Sequence, residues 1–337
     1  MLFPPLCFGP LKISFPAIQA ALSGYSDAPM RKINRRLGAE FTLCEVLLDQ
    51  FVVAVSRRKA KLYMQVEDDE HPVGAQLMGS EPEMFVSAAL RLVDAGFDLI
   101  DLNFACPVKK VLGRSRGGYL MSDPKMAAKI VESVRKAIPD TIPLTIKLRK
   151  GFDDTAESTR KFHEIIDRSL DLGVAGITLH GRTVKQRYTG LSDWDFIREV
   201  KQRLVANHWS HIPLLGSGDL FTAETCISRM RETGVDGVAL ARGIIGNPWL
   251  FREVLALMNA KPIPAPPTIE EQREILTEHY RLSEELYGIK RASTTMRGFG
   301  IRYSLLHPQA ETVREAFVRE PWEAVLTKWY HSQIAEQ

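Results

Sequence analysis

The sequence predicts an α/β chain: a (β/α)8 TIM barrel followed by a small C-terminal helical bundle. Three observations carry this. Eight short apolar runs alternate with amphipathic stretches over about 250 residues, the size and rhythm of such a barrel. Gly38, Gly96, Gly173 and Gly234 stand just past amphipathic stretches, where a helix end favours a left-handed residue. The alternation then stops at a proline-rich segment, and only helical patterns follow. The expected division is 1–258 for the barrel, 259–268 for a linker and 269–337 for a helical domain.

The strand segments are 16–22, 41–47, 72–78, 97–103, 143–149, 174–180, 212–216 and 235–240. The helical patterns between them are 27–37, 82–95, 124–138, 155–172, 193–205 and 222–233, and several begin with Asp, Ser, Thr or Pro, as helix starts do. Residues 261–268, KPIPAPPT, hold four prolines in eight positions and read as a stiff spacer. Beyond them the helical segments are 269–286, 293–306, 310–317 and 321–335. There is no internal repeat, no GxGxxG and no Walker A loop, so no dedicated dinucleotide domain is expected.

Hydrophobic content of 45% is ample for a core, and a net charge of +3 confines any nucleic-acid affinity to local patches. The four cysteines, Cys7, Cys44, Cys106 and Cys226, are widely spaced with no CxxC pair. That argues against a zinc site, an iron–sulfur cluster or a disulfide framework, and for a reducing compartment. No metal is expected. No apolar run approaches the length of a membrane span. The N-terminus lacks a signal peptide's basic start and helical core, so a mature cytoplasmic protein is expected.

In a barrel of this kind, polar residues at the carboxyl ends of the strands converge on one mouth. The strand 97–103 runs into Asn103, Cys106, Pro107 and the Lys109-Lys110 pair, and residues 102–122 contain no acid. A potentially reactive thiol beside a positive, glycine-punctuated segment suits an anionic polymer; an inert strand-end thiol is the alternative. The other strand ends contribute Gln76, Lys147, Arg149, His180, Arg182 and Arg242. Lys147 lies among Leu144, Ile146 and Leu148, so it either meets an acceptor inside the barrel or snorkels outward. The last two strands end in Gly216-Ser217-Gly218-Asp219 and Ala241-Arg242-Gly243, the loops that commonly hold a phosphate. A phosphate site with an amide and a lysine deeper in the mouth fits flavin mononucleotide, FMN, with Cys106 as a proton donor beside it. In the helical part, Lys290, Arg291, Arg297 and Arg302 interleave with Tyr287, Phe299 and Tyr303 and no acid. That pattern fits an RNA footprint and, equally, a solvated helix face over buried aromatics.

At these residues the chain resembles the tRNA-dihydrouridine synthases. The match covers nearly the whole length: Ser23-Gly24, Asp27-Ala28-Pro29-Met30-Arg31, Gln76-Leu77 with Gly79, Asp101-Leu102-Asn103 with Cys106-Pro107 and Lys109-Lys110-Val111, Thr145 to Arg149 with Gly151, His180-Gly181-Arg182-Thr183 with Gln186, Tyr188 and Gly190, then Arg242-Gly243 and Gly246 to Phe251. It departs from the family pattern at Ala21-Leu22, Ala105, the Arg114-Ser115-Arg116 insert and Ser217. The resemblance implies an FMN enzyme that reduces a uridine in tRNA or another structured RNA to 5,6-dihydrouridine, with NADPH as electron source. Hydride would reach uracil C6 from the flavin, and Cys106 would protonate C5. Ala21, Leu22 and Ser23 would pack on the flavin, Gln76, Lys147 and His180 would contact its ring, and Ser217, Gly218, Asp219, Ala241 and Arg242 would hold its phosphate. Asn103 would hold the uracil edge, and Arg149 and Arg182 the substrate nucleotide. Lys109, Lys110, Lys290, Arg291, Arg297 and Arg302 would meet RNA phosphates, with the protein acting as a monomer. An FMN barrel acting on a free pyrimidine is one rival; an RNA-binding relative without catalysis is another. The separate basic clusters favour the polymer, and retention of Cys106, Lys147 and His180 favours catalysis.

Overall fold

Eight parallel strands close into a barrel in the computed structural model, which describes residues 3–331. A hairpin of β1 (Leu6–Phe8) and β2 (Leu11–Ile13) precedes them. The barrel strands are β3 (Ala17–Gln19), β4 (Thr42–Leu48), β5 (Val73–Met78), β6 (Leu99–Asn103), β7 (Leu144–Arg149), β8 (Gly176–His180), β9 (Leu214–Ser217) and β10 (Gly237–Leu240), with β10 pairing β3 to close the ring. All eight fall within or beside the expected segments. Their side chains alternate between the barrel interior and the layer beneath the helices, the period-two rule of a strand. On β7, Leu144, Ile146 and Leu148 join the outer core while Thr145, Lys147 and Arg149 form the other set.

Helix starts are set by side-chain caps where the sequence offers them. Asp27, Asp123, Thr155, Asp193 and Thr222 each accept from the backbone N–H three residues on. Gly38, Gly96, Gly173 and Gly234 all have positive φ, as their positions past helix ends require. Four helices have no counterpart in the sequence reading: Asp49–Ala54, Arg57–Met64, Lys109–Leu112 and Leu250–Met258. None has a side-chain cap hydrogen bond, and of the four only Arg57–Met64 follows a capping residue type, Ser56. The hairpin was also unforeseen. It plugs the amino-terminal end of the barrel: Phe8 packs over Gly176, and Leu6 over Gly237.

Past the prolines come helices Ile269–Tyr287, Ile289–Tyr303, Ala310–Arg319 and Trp322–Trp329; residues 332–335 of the last expected helix lie outside the described residues. A capping box between Thr268 and Glu271 starts the first. These helices pack directly on the barrel. Tyr25 meets Phe299 edge-on at 5.4 Å and Trp249 meets Tyr303 at 6.2 Å. Tyr287 donates to Asp27 at 2.9 Å, and Arg36 pairs with Glu274 and Glu278.

Gly246 sets how closely they approach. Its φ is +76°, and a Cβ there would lie 2.4 Å from the carbonyl carbon of Arg302. Gly246→Ala combines a left-handed alanine with a backbone collision. The expected loss of stability is roughly 2–4 kcal/mol, read as a lower denaturant midpoint at unchanged m-value.

Candidate active site

Register places the polar ends of the strands in rows. Gln76 pairs with Asp101 and Asp101 with Thr145; one step higher Asn103 pairs with Lys147; higher still Arg149 pairs with His180 and His180 with Ser217. Above these rows opens a cavity of about 380 Å³, within the ~300–1,000 Å³ of small-molecule sites. Its lining brings together Ala21, Leu22, Ser23, Asn103, Cys106, Lys147, Arg149, His180, Ser217, Gly218, Asp219, Ala241 and Arg242, with Arg302 from the helical part at its edge. Lys147 thus belongs to the inward set, not to a snorkelling surface.

The loop carrying Cys106 is held at both ends. Asn103 Oδ1 accepts from the N–H groups of Ala105 at 2.9 Å and Cys106 at 3.0 Å. The N–H of Gly118 donates to the carbonyl of Cys106 at 2.9 Å. Gly117, at φ +55°, passes so close that a Cβ would sit 2.8 Å from Cys106 Cβ. The thiol is half-buried, and burial pushes its pKa up; the Val108 N–H, Arg149 and Lys147 pull the other way without reversing it. It is therefore a neutral S–H at physiological pH. Lys109 and Lys110 are exposed on a short helix, Lys109–Leu112, and are not among the charges acting on the thiol.

The rest of the cavity is cationic. Burial, then Arg149, lowers Lys147 to about 8, with Asp101 and Cys106 opposing. Burial, then Lys147 and the three arginines Arg149, Arg182 and Arg242, lowers His180 to about 2, so the ring stays neutral. Its Nδ1 accepts from the Arg182 N–H at 3.2 Å, which puts the ring proton on Nε2. Arg242 lies over Tyr188 at 4.8 Å and Phe221 at 5.5 Å, two exposed aromatics that the sequence reading had not placed at the site.

Several expected residues sit differently. Gln76 is fully buried beneath the lining, its amide spent on Asp101 and Asn103. Arg182 is also outside the lining: it donates to the Thr189 and Gly190 carbonyls and to Asp219. Arg149 reaches the lining, but its Nε and Nη1 donate to the carbonyls of Ala105, Thr183 and Arg187. The Asp219 carboxylate accepts from Arg182 and the Ser192 N–H at 2.7 and 2.8 Å and lies 3.3 Å from Arg242. Arg291 stacks on Tyr287 and donates to Tyr63, joining the Ile289–Tyr303 helix to the Arg57–Met64 helix. Lys290 and Arg297 stand exposed on the former.

The family described as dihydrouridine synthase (Dus) matches residues 18–321. The chain belongs to the dihydrouridine synthase family. A probable tRNA-dihydrouridine synthase of Rickettsia conorii is 35% identical over 280 residues, 83% of this chain and 81% of that one. One from Mycobacterium tuberculosis H37Rv is 32% identical, with 93% and 80% covered. tRNA-dihydrouridine synthase B of Xanthomonas axonopodis pv. citri is 31% identical, with 91% and 89% covered. Among solved structures, histamine dehydrogenase from Rhizobium sp. 4-9 superposes with a TM-score of 0.58 at 17% identity, covering 83% of this chain and 51% of that one. Morphinone reductase in complex with tetrahydroNAD gives 0.55 at 14% identity, covering 79% and 92%. Those two share the barrel with this family member.

A neutral His180 has a measurable consequence. The unfolded chain binds a proton on this residue near pH 6.5 and the folded chain does not, so stability falls as the pH drops below 6.5 toward 2. The slope from this residue approaches roughly 1.4 kcal/mol per pH unit. His180→Asn should flatten the pH dependence of the unfolding free energy between pH 6 and 4 by about one proton; an unchanged slope contradicts the assignment.

Proposed function

We propose that the protein reduces a uridine of tRNA to 5,6-dihydrouridine with bound FMN, NADPH as reductant and Cys106 as the acid. The observation that carries this reading is the placement of a protonated thiol on the wall of the same cationic cavity as Lys147, His180 and the Gly218 and Arg242 loops. FMN fits what the residues offer. Arg182 Nη1 is buried beside Asp219 without a partner, and the side chain of Arg242 is partly exposed at the cavity. Two guanidiniums against one carboxylate leave positive charge for a phosphate. Both loops are fixed by close packing: a Cβ on Gly218 would lie 2.3 Å from Ser192 Oγ, and one on Gly243 2.2 Å from the Leu220 carbonyl.

In this reading Ser217, Gly218, Ala241 and Arg242 hold the phosphate, and Ala21, Leu22, Lys147 and His180 line the ring site. Bound FMN supplies hydride for uracil C6. Lys147, cationic below about pH 8, and His180 Nε2–H present donors to the carbonyl edge of a flat heterocycle. Asn103 keeps one amide hydrogen for the uracil. Cys106 gives its proton to C5, and solvent restores it. Gln76 and Arg182 brace these groups from behind. Lys109, Lys110, Lys290, Arg297 and Arg302 are exposed and take part in none of the ion pairs found among the described residues; Arg302 lines the cavity, and Arg297 stands beside Phe317 and Trp322 on the helical part. Unpaired cations spread beyond the cavity favour an RNA over a free pyrimidine. No helix among the described residues is long and apolar enough to cross a membrane; tRNA and NADPH go with a cytoplasmic protein acting as a monomer.

Purified protein with NADPH should convert uridine to dihydrouridine in tRNA taken from cells that lack the gene, as read by mass spectrometry of the digested RNA. Tight FMN retention with no conversion of any tRNA uridine contradicts the substrate. Arg242→Ala should raise the FMN dissociation constant roughly tenfold, the weight of one charge-assisted contact. Lys290→Ala and Arg297→Ala in the full chain should each lower the salt slope of tRNA binding by about 1 while leaving FMN retention unchanged.

A further inference from the structure

Beneath the cavity floor runs a chain of hydrogen bonds that ends at the backbone of Cys106. Thr145 Oγ1 donates to Asp101 Oδ1 at 2.6 Å, and Gln76 Nε2 donates to Asp101 Oδ2 at 2.6 Å. Asn103 Nδ2 donates to Gln76 Oε1 at 2.7 Å. Asn103 Oδ1 accepts from the N–H groups of Ala105 and Cys106. Asp101, Gln76, Asn103 and Thr145 are each at most 5% exposed.

The direction of this chain follows from its first member. Both Asp101 oxygens accept, one from Thr145 and one from Gln76, so Gln76 turns its NH2 toward Asp101 and its carbonyl toward Asn103. Asn103 must then turn its own NH2 toward Gln76, which leaves its oxygen facing the two loop amides. Were either amide reversed, two donors or two acceptors would meet in a buried space. We infer that Asp101, Gln76 and Thr145 are positioning residues for the reaction: through Asn103 they fix the loop that presents Cys106. This rests on the reading of Cys106 as the acid. It also gives Gln76 a role that does not require it to touch a cofactor.

Burial raises the pKa of Asp101, and the Thr145 and Gln76 donors and the nearby Lys147 limit that rise without reversing it. The chain acts on the thiol only through the backbone, so its loss leaves Lys147, Arg149 and the neutral His180 in place.

Two readouts test this on the full chain. Gln76→Met keeps length and volume and removes both hydrogen bonds. Per bound flavin, its reoxidation by tRNA should be roughly 10- to 100-fold slower, the usual cost of a displaced catalytic group, with reduction by NADPH unchanged. In the absence of RNA, Cys106 should react several-fold faster with iodoacetamide than in the wild type, with exposed Cys7 as the internal reference by peptide mass spectrometry. Asp101→Asn can keep the chain intact, with its oxygen toward Gln76 and its NH2 toward the Thr145 hydroxyl, so it should retain most of the rate. Asp101→Ala should not. If Gln76→Met does not fold, Thr145→Val must show the same pattern at smaller amplitude. Wild-type reoxidation and alkylation rates per bound flavin in Gln76→Met overturn the inference. Cys106→Ala separates the two claims: if it is slow and Gln76→Met is normal, only the positioning chain is wrong. If Cys106→Ala is itself normal, the acid assignment falls first.

Discussion

Lateral register between β5, β6, β7, β8 and β9 is the constraint on which the site depends. A parallel barrel allows each strand one alignment that keeps its apolar side chains under the helices. Leu144, Ile146 and Leu148 on β7 are fully buried there, and a slip of one residue would exchange them for Thr145, Lys147 and Arg149. The outer core therefore fixes where Lys147 stands relative to Asn103, and where His180 stands relative to Arg149 and Ser217. The loops that follow inherit this placement. Cys106 is carried three residues past Asn103, and its backbone is returned to Asn103 by two hydrogen bonds.

Electrostatics then divides the work among residues of similar chemistry. Burial among cations strips His180 of its proton and weakens the hold of Lys147 on its own. The same burial keeps the Cys106 thiol protonated despite those cations, because its desolvation outweighs their attraction for a thiolate. A single cavity thus contains a neutral imidazole donor, a titratable ammonium and an S–H. Arg149 and Arg182 mostly spend their donors on backbone carbonyls and Asp219. They shape the loops and the local potential.

How much of this could be read from the chain itself depended on whether the signal was local. The eight strands were legible because each is a short apolar run closed by glycine, proline or a polar residue. Asn103, Lys147, His180 and Arg242 were legible as polar strand ends, and the resemblance of Asp101-Leu102-Asn103 with Cys106-Pro107 to a known family attached a chemistry to them. Gln76 lies outside the cavity lining, its amide spent on Asp101 and Asn103 of a neighbouring strand, which its own segment does not reveal. Asp101 was quoted within that match without a role of its own, although it shares a face with Asn103 at a spacing of two. Arg302 was read as part of an RNA-facing helix; only the close approach of that helix at Gly246 brings it to the cavity edge. The helices Asp49–Ala54 and Arg57–Met64 have no side-chain cap hydrogen bond, and both are too short for a clear helical period.

The account turns on one proton. Reducing a uracil 5,6 double bond requires an acid at C5 once hydride has reached C6, and the structure offers Cys106 as a neutral S–H on the cavity wall. The most direct measurement is rapid mixing of pre-reduced protein with tRNA, following flavin absorbance in the wild type and in Cys106→Ala. The predicted result is reoxidation slowed by roughly 10²–10⁴-fold, the usual weight of a general acid, with flavin binding and reduction by NADPH unchanged. Reoxidation of Cys106→Ala by tRNA at the wild-type rate would contradict the account.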